Sequence, residues 1–313
     1  MPETPNALAR ESGALETLTT EAADPALADI DLLDTEARLR LFNREDARVA
    51  QAVADQIPQI ARAVTLAARS LRAGGRLIYV GAGTSGRLGV LDASECPPTF
   101  GVPPHVVQGL IAGGERAMFC AVEGAEDDPD LGATAIIDAD VSEQDTVVGI
   151  SASGSAPFVL GALRQAQKRG ASTVALTNNR PSVMEGVAGV TIAPVVGPEV
   201  LAGSTRLKAG TAQKMVLNMI STGAMMEIGK TYGNLMVDVQ ASNAKLTARA
   251  ARIIAQITGL SLDRAREALQ EAGGSAKVAV LMVQTGQSQD AARALLARSG
   301  GALRRALSEA GRK

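Results

Sequence analysis

The amino-acid sequence predicts an α/β protein: a doubly wound, parallel five-stranded sheet in flavodoxin-like order, preceded by helices and followed by a small helical domain. Two observations carry this reading. Five short apolar, β-branched runs, at 77–80, 106–111, 146–150, 173–176 and 190–192, end in small-residue loops and alternate with helical stretches. Alternation of this kind implies parallel strands covered on both faces. The first and third runs also end in the richest glycine and serine loops, as expected of strands flanking the switch point of a 2-1-3-4-5 sheet.

The elements follow in order. Residues 1–34 are polar, with Glu3, Glu11, Glu16, Glu21 and Asp24 spread through them, and read as an extension that wraps around or extends from the body. Thr35 is placed to cap one helix and Asp46 the next. Val49, Val53, Ile57, Ile60 and Val64 recur at helical spacing and predict one long amphipathic helix ending near Gly74-Gly75. A helix is expected from Ala156 to Arg169, and Asn178-Asn179-Arg180-Pro181 reads as ordinary turn chemistry. From Lys208 to about Gly229 a helix carries Met215, Met225 and Met226, a stripe that suits a core or a subunit contact. After Asn243 short helices rich in Ala, Arg, Leu and Gln are punctuated by glycines, with Ser261 and Ser288 as N-caps. The expected division is an extension 1–34, a sheet domain with flanking helices 35–245, and a small helical domain 246–313.

Composition narrows the function. The 313 residues carry a net charge of -2, no Trp, two Tyr and four Phe, so neither a basic surface nor stacking platforms for nucleic acid are available. Cys96, Cys120 and the single His105 make neither a disulfide framework nor a Cys/His zinc site. Met1 to Thr20 lacks the basic start and apolar run of a secretory signal, and no stretch of about twenty apolar residues could span a membrane. The expectation is a cytoplasmic protein with no membrane and no metal.

The sharpest local feature is the run Leu77 to Arg87, a strand entering a loop with glycines at 81, 83 and 86 and then a helix expected to begin near Arg87. The loop fits G-x-G-x-x-G, which any tight turn presenting helix amides to an anion can satisfy. Ser151-Ala152-Ser153-Gly154-Ser155 after the third strand adds hydroxyls and amides at a second helix start, a combination suited to a phosphomonoester. A third hydroxyl cluster, Gly203-Ser204-Thr205, precedes the Met-rich helix; it could close the pocket, reach a neighbouring subunit or simply cap. Acids follow: Glu95 before the Pro97-Pro98 break, then Glu115, Glu123, Glu126, Asp127 and Asp128 after the second strand. Elimination next to a sugar carbonyl needs one ionised group to take a proton and one protonated group to give one, and two carboxylates supply both without metal.

These residues resemble a known family. Gly-Ala-Gly-Thr-Ser-Gly-Arg-Leu at 81–88, Asp-Ala-Ser-Glu-Cys-Pro-Pro at 92–98, Gly-Leu-Ile-Ala-Gly-Gly-Glu at 109–115, Val-Glu-Gly-Ala-Glu-Asp at 122–127, the run from Gly203 to Lys214, and Gly-Asn-Leu-Met-Val-Asp at 233–238 are similar to the signature of N-acetylmuramic acid 6-phosphate etherases. The resemblance runs over roughly residues 20 to 313. It implies a sugar isomerase (SIS) domain working as a homodimer without cofactor, and hydrolysis of N-acetylmuramate 6-phosphate to N-acetylglucosamine 6-phosphate and D-lactate in cell-wall recycling. It also implies that Glu95 is the proton donor to the leaving lactate and Glu126 the base at C2. The implied phosphosugar contacts are Gly83, Thr84 and Ser85; Ser151, Ser153 and Ser155; Glu115; and Ser204, Thr205 and Lys208. One departure stands out: Ser155-Ala156-Pro157-Phe158 occupies the place of the family's Arg-Thr-Pro-Tyr, so a basic residue is missing near the phosphate loop, with Arg87, Arg206 and Lys208 as candidate substitutes. The C-terminal helices resemble a small ubiquitin-associated-like fold, for which a packing role is expected.

Two other readings stay open. The same fold serves non-catalytic phosphosugar sensors, including a glucokinase regulator related to these etherases. A nicotinamide-dependent oxidoreductase would use the glycine loop but would want an acid at the end of the second strand, where Ala112-Gly113-Gly114 stands.

Overall fold

The computed structural model describes residues 18–238 and 244–311; the first half of the expected N-terminal extension, with Glu3, Glu11 and Glu16, lies outside them, as does Asn243. In chain order the described elements are helices α1 (Thr35–Asp46), α2 (Val49–Ala54) and α3 (Ile57–Arg72), strand β1 (Leu77–Gly81), helix α4 (Gly83–Phe100), β2 (Val107–Ile111), α5 (Pro129–Asp138), β3 (Thr146–Ile150), α6 (Pro157–Lys168), β4 (Ser172–Leu176), β5 (Val190–Ile192) and α7 (Lys208–Glu227). A two-stranded ribbon, β6 (Thr231–Tyr232) and β7 (Leu235–Met236), and helices α8 (Ala244–Thr258), α9 (Leu262–Glu271), α10 (Ala276–Thr285), α11 (Gln289–Arg298) and α12 (Leu303–Ala310) complete the chain. By packing, the described residues sort into two compact units: those up to Ala93 with Val107–Ile220, and Ser94–Val106 with those from Ser221 on.

The first unit holds the expected sheet, all parallel, in the order β2-β1-β3-β4-β5. Its register decides where a ligand can bind. Gly81 pairs with Ile111 and Ile150, Ile150 with Leu176, and Leu176 with Ile192. The strands therefore finish in one row, and the loops that follow emerge on the same side. β1 is the first strand of the sheet and sits between β2 and β3, so the switch point lies between β1 and β3, where doubly wound sheets place ligands. Every residue of β1 and β3 is buried. Ile78, Val80 and Val147 pack with Val159, Leu163 and Ile136 of the helices, and each such fully buried aliphatic side chain contributes about 2 kcal/mol.

Helices α5 and α6 touch backbone to backbone. A Cβ added at Gly132 would overlap the carbonyl oxygen of Phe158, and one at Gly161 that of Pro129. This approach holds residues 126–128 against the start of α6, which matters for the site below.

Three local expectations are corrected. The long helix predicted from Val49 to Gly74 is divided at Asp55 and Gln56 into α2 and α3. Pro58 in the first turn of α3 has no N–H for the preceding turn and disfavours helical backbone just before it. α1 is capped by Asp34, whose Oδ1 accepts from Ala37 N at 2.8 Å, with Thr35 its first residue and Asp46 its last. α4 begins at Gly83 instead of near Arg87 and continues through Pro97 and Pro98 to Phe100.

The second unit contains the expected C-terminal helices, with Ser261 Oγ and Ser288 Oγ capping α9 and α11. Its own core gathers Ile254, Leu269, Val280, Leu281, Leu295 and Leu303. The buried Lys277 Nζ donates to Asp238 Oδ2 at 2.6 Å and to Gly301 O at 2.7 Å; burial lowers its pKa against the opposing pull of Asp238. Among the described residues no helix is long and apolar enough to cross a membrane.

Candidate active site

The loops after β1 and β3 meet in a crevice of about 490 Å³, lined by Ala82, Gly83, Thr84 and Ser85 from the first and Ser151, Ala152, Ser153, Ser155 and Ala156 from the second, with Glu126, Asp127, Thr205 and Glu21 around them. The volume is within the range of small-ligand sites. Because α4 starts at Gly83, the loop residues Gly83 to Ser85 form its first turn. The amides of that turn have no helical partner and carry the positive end of the helix dipole. The close turn needs its glycines: a Cβ at Gly86 would come within 2.7 Å of Gly81 O.

The serine loop is bonded largely to itself. Ser155 Oγ donates to Ser153 Oγ at 3.0 Å, Ser153 Oγ lies 3.2 Å from Ser151 Oγ, and Gly154 N donates to Ser151 Oγ at 3.1 Å. No side chain caps α6, whose N-cap is Ala156. Hydroxyls and a helix start thus face the crevice together, an arrangement that suits an anion.

Ser85 is held from behind. Its hydroxyl donates to Gln213 Oε1 at 2.9 Å, Gln213 Nε2 donates to Asn178 Oδ1 at 3.0 Å, and Asn178 Nδ2 donates to Pro194 O at 3.0 Å. Gln213 and Asn178 are buried, so these bonds run through the protein interior. Asn179, also buried, donates to Ala152 O and to Thr20 Oγ1, both at 2.8 Å. Asn178 and Asn179 therefore brace the site from the carboxyl end of β4, where turn chemistry alone was expected.

The acidic segment divides its labour. Asp128 caps α5 through Asp130 N and Leu131 N at 2.8 and 3.1 Å. Glu126 gives its carbonyl oxygen to Phe158 N at 2.9 Å, which ties it to α6, and its exposed side chain lines both the crevice and an adjoining cavity of about 280 Å³. Arg87 lines that second cavity and donates from Nε to Met118 O at 3.2 Å.

Of the residues expected from sequence, the crevice brings together Gly83, Thr84, Ser85, Glu126, Ser151, Ser153, Ser155 and Thr205. Others stand elsewhere. Lys208 is 1% exposed and its Nζ donates to Glu45 Oε2 at 3.1 Å, so the ammonium is committed to the interior and cannot replace the missing basic residue. α7 is started by Glu199, which accepts from Lys208 N and Ala209 N at 2.9 Å each; Ser204 and Thr205 are not its caps. Burial raises the pKa of Glu199 against those two N–H bonds. Glu115 is exposed in a short 3-10 turn, and neither it nor Ser204 is a lining residue. Glu95 is exposed on α4, in the stretch assigned to the second unit. Sequence reasoning missed Glu21, Asn178, Asn179 and Gln213. Gln213 sits in one of the family-like blocks, which was the available signal; the asparagines had none beyond turn chemistry.

Comparison with known proteins decides the family. The N-acetylmuramic acid 6-phosphate etherase of Pectobacterium atrosepticum is 56% identical over 269 residues, covering 86% of this chain and 89% of the relative. That of Symbiobacterium thermophilum is 57% identical over 272 residues, covering 87% and 90%. The chain belongs to the N-acetylmuramic acid 6-phosphate etherase family. Residues 59–167 also match the glucokinase regulatory protein N-terminal SIS domain, 131–222 the SIS domain, and 233–275 the C-terminal lid domain of glucokinase regulatory protein. A phosphoheptose isomerase from Francisella tularensis superposes with a TM-score of 0.50 at 17% identity, covering 62% of this chain and all of that one, a likeness of fold alone. In this etherase-family chain the described crevice lining contains three carboxylates and no lysine or arginine.

Proposed function

We propose that the crevice between β1 and β3 is where this chain cleaves the D-lactyl ether of N-acetylmuramic acid 6-phosphate, giving N-acetylglucosamine 6-phosphate and D-lactate in cell-wall recycling. Family membership at 56% and 57% identity supports the reaction. The observation that carries the location is the meeting of two hydroxyl-bearing helix starts with Glu126 in one small cavity. The phosphate binds to the amides and hydroxyls of Gly83, Thr84, Ser85, Ser151, Ser153 and Ser155, with the two helix dipoles supplying the positive field that a side-chain cation would otherwise give.

In the ring-opened sugar the proton at C2 is acidified by the aldehyde. Glu126 takes it, the C3–O bond breaks, and Glu95 protonates the departing lactate oxygen. Water then adds at C3 of the unsaturated aldehyde, with one carboxyl receiving its proton and the other returning a proton to C2, so both groups end as they began. The steps use two carboxyl groups in opposite protonation states and no cofactor. We further propose a cytoplasmic enzyme acting as a homodimer.

The test is D-lactate release by purified protein in heavy-oxygen water. Label at C3 of the sugar product is expected from elimination followed by rehydration. Glu126→Gln and Glu95→Gln should each lower turnover by about 10²–10⁴ while phosphosugar binding persists. Full turnover by either variant removes that residue from the mechanism. Phosphosugar binding with no lactate release by the unaltered chain would instead favour a sensor.

A further inference from the structure

Glu21 reaches the crevice from the N-terminal segment and belongs to none of the motifs so far assigned to the site. Its position is built. Thr19 Oγ1 donates to Asn179 Oδ1 at 2.8 Å, Asn179 Nδ2 donates to Thr20 Oγ1 at 2.8 Å, and the same amide donates to Ala152 O of the serine loop. On the other side Gly203 N donates to Thr20 O at 3.2 Å, tying the segment to the loop that carries Thr205. Thr20 and Asn179 are 0% and 2% exposed, so the anchor is an interior one, and the side chain it delivers is solvent-facing.

Charge decides what Glu21 can touch. The bound phosphosugar carries a phosphate and, before cleavage, a lactyl carboxylate. An ionised carboxylate held against either is repelled, and the described lining offers no cation to offset this. The partners left for it are the neutral O–H and N–H donors of the sugar. A carboxylate is a strong acceptor for such groups, and leaving one unmatched in a partly closed crevice costs affinity. We propose that Glu21 is a specificity-determining residue that accepts hydrogen bonds from the hydroxyl or amide donors of the bound amino sugar, while the two loops take its phosphate. The inference rests on the phosphosugar reading of the crevice.

Binding of two probes to the full chain, inorganic phosphate and N-acetylglucosamine 6-phosphate, separates sugar recognition from phosphate recognition. Glu21→Ala should bind inorganic phosphate within about twofold of the unaltered protein and the sugar phosphate about tenfold more weakly. KM for N-acetylmuramate 6-phosphate should rise in parallel and kcat change little. Glu21→Gln, which keeps a carbonyl acceptor and the shape, should lose less than Glu21→Ala. Equal weakening of both probes would mean that the segment only shapes the loops, and unchanged binding of both would mean that Glu21 does not touch the sugar; either result overturns the proposal. If the unaltered protein binds neither probe, the phosphosugar reading itself fails, and this proposal with it.

Discussion

The two ends of the central sheet solve opposite problems. At the amino ends, just ahead of β1 and β3, Asp145 accepts from Arg76 N at 2.7 Å, Arg76 Nη2 at 2.8 Å and Ser142 N at 2.9 Å, while Arg76 also donates to Ala139 O and Asp140 O. Ser70 and Thr146 share a hydroxyl bond beside them. Polar groups there are matched by the protein itself. At the carboxyl ends the hydroxyls of Ser151, Ser153 and Ser155 bond chiefly to one another, α6 has no side-chain cap, and Glu21, Glu126 and Asp127 face solvent. Groups matched internally stabilise the fold; groups left with spare bonding capacity are the ones a ligand can use.

Substitutions at the two ends should therefore separate stability from activity. The largest stability loss is expected for Asp145→Ala, about 3 kcal/mol, at the low end for a broken buried pair because Arg76 is 21% exposed; kcat and KM for lactate release should stay unchanged. This pair also sets an acid limit. Burial alone would raise the Asp145 pKa, but the Arg76 hydrogen bond and the N–H groups of Ser142 and Arg76 outweigh it and hold the folded-state value below 3.8. Its stabilisation is full above 3.8 and is lost as pH falls through the lower folded-state value. Denaturant midpoints of the unaltered chain and Asp145→Ala should differ at neutral pH and converge in strong acid. A constant difference would assign the effect to packing.

Gln213→Leu probes the join between the two kinds of polar group, since it removes the acceptor of the Ser85 hydroxyl and the donor to Asn178 Oδ1 at once, while the Asn178 bond to Pro194 O stays. A stability loss of about 2 kcal/mol together with a several-fold rise in KM is expected. A rise in KM without the stability loss would show that the interior bonds position Ser85 but add nothing to stability. Ser153→Ala should have the smallest effect on stability, within about 0.5 kcal/mol, with KM raised by threefold to tenfold or so. If its thermal midpoint falls as far as that of Asp145→Ala, the contrast between the two ends is wrong.

Much of the fold was legible because its signals are local. The runs ending at Val80, Ile111, Ile150, Leu176 and Ile192 are short, apolar and followed by small residues, and each became a strand within a residue or so of its expected bounds. The flavodoxin-like strand order expected of such an alternation is the order found, and it sets the glycine and serine loops side by side. Boundaries set by a single residue were less secure, as at Pro58, where helical periodicity continues across a backbone that cannot. In the site, Glu126 and the serines were legible because loop and motif lie side by side in the chain. Lys208 was misplaced because a lysine beside a hydroxyl cluster reads the same whether it faces a ligand or Glu45, 163 positions away. Asn179 was underrated for the same reason: its partners Thr20 and Ala152 are 159 and 27 positions distant.

The sequence by itself determined the alternation of strands and helices, the two anion-suited loops and the family, because periodicity, turn chemistry and motif are all written within a few neighbouring residues. Only the tertiary structure decided which polar side chains serve the crevice and which serve the core. Gln213, Asn178, Lys208 and Glu21 differ in role through partners that folding brings from far along the chain, and a buried polar group takes its role from whichever partner satisfies it.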